Sequence, residues 1–180
     1  MQEYPVAVLK PDTIRDSLDE VIIAELLQEW ITVRFRKILQ ISEPQVLSIY
    51  PERVNSPRYK YMAHSLTHGT SMLLLLSGDN AYSRINVIKW NWNKWWLRQK
   101  YLFYDREKLT EMWFCWEALQ FKLAENRIHS CDNDEESALM LSGLLNRHEI
   151  DTLEPLSPLL YRLTVNKTAL SIIENPDDKS

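Results

Sequence analysis

Val6-Ala7-Val8-Leu9-Lys10-Pro11-Asp12 sets the first element of the chain: four apolar residues, then a lysine, a proline and an aspartate. The unbroken apolar run predicts a buried strand, and proline stops it because it has no N–H to give to a ladder. Ser17-Leu18-Asp19-Glu20 follows with the form of a capping box, a hydroxyl with a glutamate three residues on. Leu18, Val21, Ile22, Leu26 and Trp30 recur at helical spacing, which predicts a helix to about Trp30. Ile31, Val33, Phe35, Leu39 and Ile41 alternate with polar residues and predict a half-buried strand, whose apolar face is broken by Lys37. Ser42-Glu43-Pro44-Gln45 is a second capping box, opening a short helix toward Tyr50, and Arg58 to Ser65 again reads as helical. Met72 to Leu76 is wholly apolar and reads as a central strand, closed by Ser77-Gly78-Asp79-Asn80. The predicted order so far is strand, helix, strand, helices, strand.

Farther along, Arg127 to Cys131 predicts a short strand and Asn133 to Leu145 a helix with Ala138, Leu141, Leu144 and Leu145 inward, although Gly143 blurs its end. His129 therefore stands at a strand-to-helix junction, where an imidazole can face a cleft while its backbone stays anchored. Between these regions, residues 81–100 hold Trp90, Trp92, Trp95 and Trp96 with Arg84, Lys89, Lys94, Arg98 and Lys100, and no acidic residue. Asp105 reads as an N-cap, followed by a helix with Leu109, Met112, Trp113, Trp116, Leu119 and Leu123 on one face. Trp113 and Trp116 on that face are read as core. Past His148 the periodicity fades; Pro155, Pro158 and the polar residues 175–180 predict a packed extension and then a disordered tail. No internal repeat is present.

Composition bounds the function. At 180 residues and 45% hydrophobic, with 26% charged, the chain has enough apolar material for one domain of ordinary size. A net charge of −4 gives no global reason to bind nucleic acid or a membrane surface, and three glycines leave little from which to build a glycine-rich phosphate loop. Cys115 and Cys131 form no disulfide framework and lack zinc-ligand spacing. With no leader-like segment at its start and no apolar run long enough to span a bilayer, the expected compartment is the cytoplasm. His64 and His68 have metal-like i, i+4 spacing without an evident third ligand.

Val8-Leu9-Lys10-Pro11-Asp12 resembles the opening strand of the nucleoside diphosphate kinases, which ends in a lysine-proline-aspartate motif. Asn126 to Ala138 resembles that family's active-site segment, in which an asparagine precedes the phosphorylated histidine by three residues and a Glu-Ser-Ala helix start follows. The family's active-site tyrosine falls on Tyr50 without a gap, its two strand-flanking glycines on Gly69 and Gly78, and a further match on Asn80. The resemblance covers roughly Tyr4 to Leu145, apart from an expanded segment near residues 89–123. It implies an α+β, ferredoxin-like βαββαβ fold: a four-stranded antiparallel sheet with helices on its faces. The implied division is a kinase-like domain over 1–150, with the insertion near 89–123, and an extension and tail over 151–180. By the same resemblance the activity is phosphoryl relay from a nucleoside triphosphate such as ATP to a nucleoside diphosphate through a phosphohistidine on His129. Lys10 would be the phosphate-side cation, Tyr50 would support the site and Asn126 would contact the sugar. Mg²⁺ would be held mainly by the nucleotide phosphates, with no protein metal site. The expected partners are nucleoside di- and triphosphates and further copies of the chain in a homo-oligomer, with neither membrane nor nucleic acid.

The departures from the family concern the phosphate grip. The first family arginine falls on Ser56, with Arg53 and Arg58 nearby; the second falls on Asn86, with Arg84 two residues earlier. The third lies in the replaced segment, where Arg98 or Arg106 could substitute. The base-stacking aromatic becomes Arg58, which can itself stack on a base. The glutamate that orients the histidine falls on Leu141, leaving Glu135 or Glu136 as stand-ins. The alternative expectation is thus a catalytically impaired nucleotide-binding or protein-interaction module on the same fold. A subsidiary version has the Trp/Lys segment, through Lys94 and Arg98, binding single-stranded nucleic acid.

Overall fold

A computed structural model describes residues 2–90 and 115–174. In chain order the elements are β1 (Gln2–Glu3), β2 (Val6–Leu9), α1 (Pro11–Arg15), α2 (Asp19–Gln28), β3 (Thr32–Gln40), α3 (Glu43–Ile49) and a 3₁₀ turn at Pro51–Arg53. They continue with α4 (Tyr59–Thr67), β4 (Thr70–Asp79), α5 (Ala81–Trp90), α6 (Trp116–Ala124), β5 (Ile128–Ser130), α7 (Asp134–Leu144), α8 (Arg147–Asp151) and α9 (Pro158–Glu174). The sheet runs β3-β4-β2-β5 with every pairing antiparallel, which is the ferredoxin-like α+β arrangement. β1 pairs with the end of β4 in the register that β2 uses, Glu3 opposite Gly78 and Val6 opposite Leu75. It is therefore β2 continued across Tyr4-Pro5, and it adds a short fifth strand segment to the four expected.

The sheet is covered on both faces, so its central strands read as unbroken apolar runs. Val6 and Val8 pack into one cluster with Tyr50, Leu141 and Leu160, while Ala7 and Leu9 pack into another with Ile22, Leu26 and Ile85. Full burial of each such valine or leucine is worth roughly 1.5–3 kcal/mol. Gly143 does not end its helix. It lies within α7, and a Cβ there would come 2.3 Å from the Ser48 hydroxyl, so glycine is what lets α3 approach α7 closely. Gln45 secures the same contact by donating from Nε2 to the Gly143 carbonyl at 3.0 Å while its Oε1 accepts the Ser42 N–H.

Three expectations change. Ser17 does not cap α2: it sits in the left-handed region at φ 55°, with its N–H on the Ile14 carbonyl, and closes α1 instead. That takes it out of the extended geometry an N-cap needs. Trp116 is not core but 61% exposed, and the predicted helix start at Asp105, with Leu109, Met112 and Trp113, lies outside the described residues. The weakly periodic end of the chain contains the 17-residue helix α9, which packs along α7. Its buried face includes Thr164, whose hydroxyl donates to the Leu160 carbonyl at 2.8 Å, so a polar residue packs there with its hydrogen bond made. No described helix is long and apolar enough to cross a membrane.

Lys37, the break in the apolar face of β3, is half-buried and bonds Glu149 on α8 at 2.7 Å. Burial alone would raise the Glu149 carboxyl, but the Lys37 hydrogen bond and the Asn146 N–H outweigh it and hold it below the ordinary 4.5. A depressed carboxyl contributes stability above its unfolded value and loses it as pH falls through its folded value. Glu149→Gln is therefore expected to cost roughly 1 kcal/mol at pH 7 in urea denaturation. The difference from the parent should close as pH falls below 4.5.

Candidate active site

Among the described residues β5 pairs only with β2, which leaves its other side an open sheet edge. His129 lies opposite Val8, which directs its half-buried side chain to the face that carries α3 and α7, since paired residues of antiparallel strands share a face. There its ring meets Tyr50 edge-on, with centroids 4.6 Å apart and planes at 67°. Tyr50 terminates α3, so the Gly143 contact that seats α3 also seats the tyrosine.

The turn before β5 is pinned to the Lys10-Pro11-Asp12 corner. Arg127 adopts φ 68°, and its buried guanidinium donates to the Asp12 carbonyl and to the Asp16 carboxylate, each at 2.6 Å. Its N–H donates to Asp12 Oδ2 at 3.1 Å, and its carbonyl accepts from the Thr13 hydroxyl at 2.7 Å. Asn126, next to this latch, presents a buried Oδ1 that finds no partner among the described residues.

A cleft of about 420 Å³ wraps this edge. His129, Asn126, Asp132 and Glu136 line it from the β5–α7 segment, Tyr50, Arg53 and Arg58 from the segment between α3 and α4, and Asn86 and Lys89 from α5. Among the described residues its lining cations are Arg53, Arg58 and Lys89 and its lining carboxylates Glu52, Asp132 and Glu136. Arg53 pairs with Glu52 at 3.1 Å and Asp132 accepts the Asn86 amide at 2.9 Å. Cys131 also lines it, but burial pushes its thiol up to about 12, so it stays protonated and unreactive. A larger groove of about 1090 Å³ lies beyond the Asn86–Asp132 bond. The smaller cleft is the one that combines the histidine with three cations.

Of the residues singled out from sequence, His129, Tyr50, Asn126 and Arg58 line one cleft. Lys10 is not among the residues that line the cleft. It is 1% exposed, donates to the Ala124 carbonyl at 3.0 Å and to Ser65 Oγ at 3.4 Å, and lies 5.9 Å from the Tyr50 ring centroid, behind that ring. Arg84 is turned away, donating to the Glu29 carbonyl at 3.1 Å and lining a separate cleft with Trp30 and Arg34. Arg98 and Arg106 lie outside the described residues. Leu141 is buried in the core, and Glu136 accepts the Asp132 N–H at 3.0 Å as part of the α7 cap. His64 and His68 lie ring against ring, centroids 3.6 Å apart. Among the described residues no three His, Cys, Asp or Glu side chains converge as a metal site. Lys89 was not singled out from sequence, yet helical period would have found it: it follows Asn86 by three residues on the same face of α5, whereas Arg84 sits two residues before Asn86 on another.

A family model for nucleoside diphosphate kinase matches residues 3–94. Among curated relatives, a nucleoside diphosphate kinase of Lawsonia intracellularis is 21% identical over 82% of this chain and 97% of its own length. One of Oleidesulfovibrio alaskensis is 27% identical over 47% of this chain and 60% of its own length. A thioredoxin domain-containing protein 3 homolog of Ciona intestinalis is 27% identical over 48% of this chain. The matching part spans only 13% of the Ciona protein. In fold, the chain is similar to the nucleoside diphosphate kinase of Halobacterium salinarum in complex with CDP, with a TM-score of 0.63 and 17% identity. That likeness covers 83% of this chain and 91% of the other. It is likewise similar to the Borrelia burgdorferi enzyme with bound vanadate and ADP, with a TM-score of 0.62 and 13% identity over 82% and 89% of the two chains. With half of its length matched by the family model and its fold shared with those structures, the chain belongs to the nucleoside diphosphate kinase family.

Proposed function

We propose that the protein moves the γ-phosphoryl group of a nucleoside triphosphate to a nucleoside diphosphate, or a related acceptor, through a phosphohistidine on His129. The observation that carries this reading is the meeting of His129 with Tyr50, Asn126 and Arg58 in one cleft at the open edge of β5. An imidazole nitrogen directs its lone pair at the γ-phosphorus, forming the N–P bond as the bridging P–O bond breaks, and the electron pair leaves with the nucleoside diphosphate. A second diphosphate then takes the phosphoryl group by the reverse displacement, which frees the imidazole. Tyr50 fixes the ring from one side. The unpartnered Oδ1 of Asn126 supplies an acceptor for a sugar hydroxyl. Arg58 supplies a planar cation for a base or a phosphate. Lys10, behind Tyr50, contributes positive potential to the cleft floor rather than a direct contact.

Mg²⁺ would travel on the nucleotide's phosphate oxygens, and the carboxylates lining the cleft it would enter are Glu52, Asp132 and Glu136. When bound, the ion neutralises phosphate charge. Assembly into a homo-oligomer belongs to the same proposal. Its support is the exposed apolar side chains Val21 and Leu27 on α2 and Ile38 on β3, the strand at the other open edge of the sheet.

The test is steady-state exchange between ATP and GDP. A single site with a phosphorylated intermediate gives GTP and parallel double-reciprocal lines when both substrates are varied. Intersecting lines, or no GTP, would overturn the relay. The equal number of cations and carboxylates in the cleft favours one second reading, a nucleotide-binding module without turnover. It gives saturable binding and no exchange.

A further inference from the structure

We propose that Lys89 grips the phosphoryl group from the α5 side of the cleft, taking the place of the arginine that family resemblance puts at Asn86. This rests on the phosphotransfer reading for the identity of the ligand. Lys89 is 4% exposed and still lines the cleft. Ser130 holds it there, with the hydroxyl at 2.6 Å and the carbonyl at 3.5 Å. Ser130 directly follows His129 on β5, so the anchor of the cation adjoins the nucleophile. The two side chains approach from different faces of the sheet. Ser130 lies opposite Ala7, on the face of α2 and α5, and His129 lies opposite Val8, on the face of α3 and α7. Because no described strand pairs with the outer side of β5, groups from both faces reach the edge, and the cleft gathers them.

Helix geometry explains the substitution. Tyr82, Asn86 and Lys89 are spaced by four and three residues, so they share one face of α5, and all three bond the β5–α7 segment. Tyr82 donates to Asp134 at 2.7 Å, Asn86 to Asp132 at 2.9 Å and Lys89 to Ser130 at 2.6 Å. A cation required on that face can sit at 86 or at 89, but not at 84. Arg53 and Arg58 line the same cleft from a second wall, the segment between α3 and α4. A phosphoryl group transferring at His129 would lie between cations on two walls, where charge-assisted contacts are strongest.

The experiment compares the affinities of ATP and adenosine for the full chain, by calorimetry, in the parent, Lys89→Met, Lys89→Arg and Ser130→Ala. Loss of a charged hydrogen bond to phosphate weakens ATP binding roughly ten- to a hundredfold, while adenosine affinity stays within about twofold and Lys89→Arg recovers most of the loss. If Lys89 merely tethers α5 to β5, ATP and adenosine lose affinity together or neither does, and the proposal falls. Should Lys89→Met fail to fold, Ser130→Ala decides: a selective loss for ATP supports the grip, and an unselective or absent loss overturns it. A parent protein that binds ATP but is never phosphorylated sinks the relay and leaves Lys89 to be judged by the ATP-to-adenosine split. A parent that binds neither sinks both.

Discussion

Replacing His129 by glutamine is expected to lower ATP-to-GDP exchange by at least about three orders of magnitude, because a nucleophile that forms the covalent intermediate has no substitute in the pathway. The fold should tolerate the change. His129 is half-buried on an edge strand, its ring touches Tyr50 on one side, and its backbone pairing with Val8 is independent of the side chain. Glutamine is close in volume and keeps polar atoms in the cleft. Melting temperature should stay within a few degrees, about the shift that 1 kcal/mol gives a domain of this size, and ATP affinity should stay within a few-fold. Measuring exchange, melting and affinity together separates a lost nucleophile from a lost site. Exchange that survives the substitution would mean that His129 carries no phosphoryl group.

Arg127→Met should be the most destabilising single change near the site, at about 3 kcal/mol or more. The arginine side chain is buried and binds the Asp12 carbonyl and the Asp16 carboxylate, while Asp12 is itself buried with Oδ1 unpartnered among the described residues. Removing the guanidinium leaves the Asp12 carboxylate with less to offset its desolvation. Burial already raises the Asp12 carboxyl, with Lys10 and Arg127 pulling it back, and the variant raises it further. An acid whose folded value exceeds its unfolded one binds more protons when folded, so its stability contribution falls as pH rises through that window. Asp16 works in the same direction. Its carboxyl is held down against burial by hydrogen bonds from Arg15 and Arg127, and it loses part of a contribution that is present above its unfolded value. The penalty of Arg127→Met should therefore be larger at pH 7 than at pH 4, by urea denaturation. A pH-independent penalty, or one below 1 kcal/mol, would show that the latch is not electrostatic. Since Arg127 lies between Asn126 and Ile128, the variant should also reduce exchange by loosening the turn that presents Asn126 and His129.

The fold was legible wherever burial wrote a simple pattern. The runs of β2 and β4 and the alternation of β3 follow directly from being buried on both faces or on one. It was less legible where two elements meet. Ser17 has a capping sequence but is used to close the preceding helix, Gly143 looks like a terminator but marks a close helix contact, and Lys37 looks like a misplaced charge but answers Glu149 from a segment far along the chain. The site shows the same division. His129, Asn126 and Tyr50, which carry the motifs, line one cleft together with Arg58, which departs from them. Arg84, two residues before Asn86, turns to the Glu29 carbonyl, whereas Lys89, three residues after it on the same helix face, bonds Ser130, and the Lys10 ammonium bonds Ala124 and Ser65. Arg127 carries no motif; its role exists only because β5 and the Lys10-Pro11-Asp12 corner are neighbours in the sheet.

The most direct measurement is mass spectrometry, under alkaline conditions, of the full chain incubated with ATP and then digested. The expected result is one acid-labile phosphoryl group on the peptide that contains His129, removed by added nucleoside diphosphate and absent from the glutamine variant. A phosphoryl group on a different residue, or none at ATP concentrations that saturate binding, would contradict the assignment of His129 as the phosphate carrier.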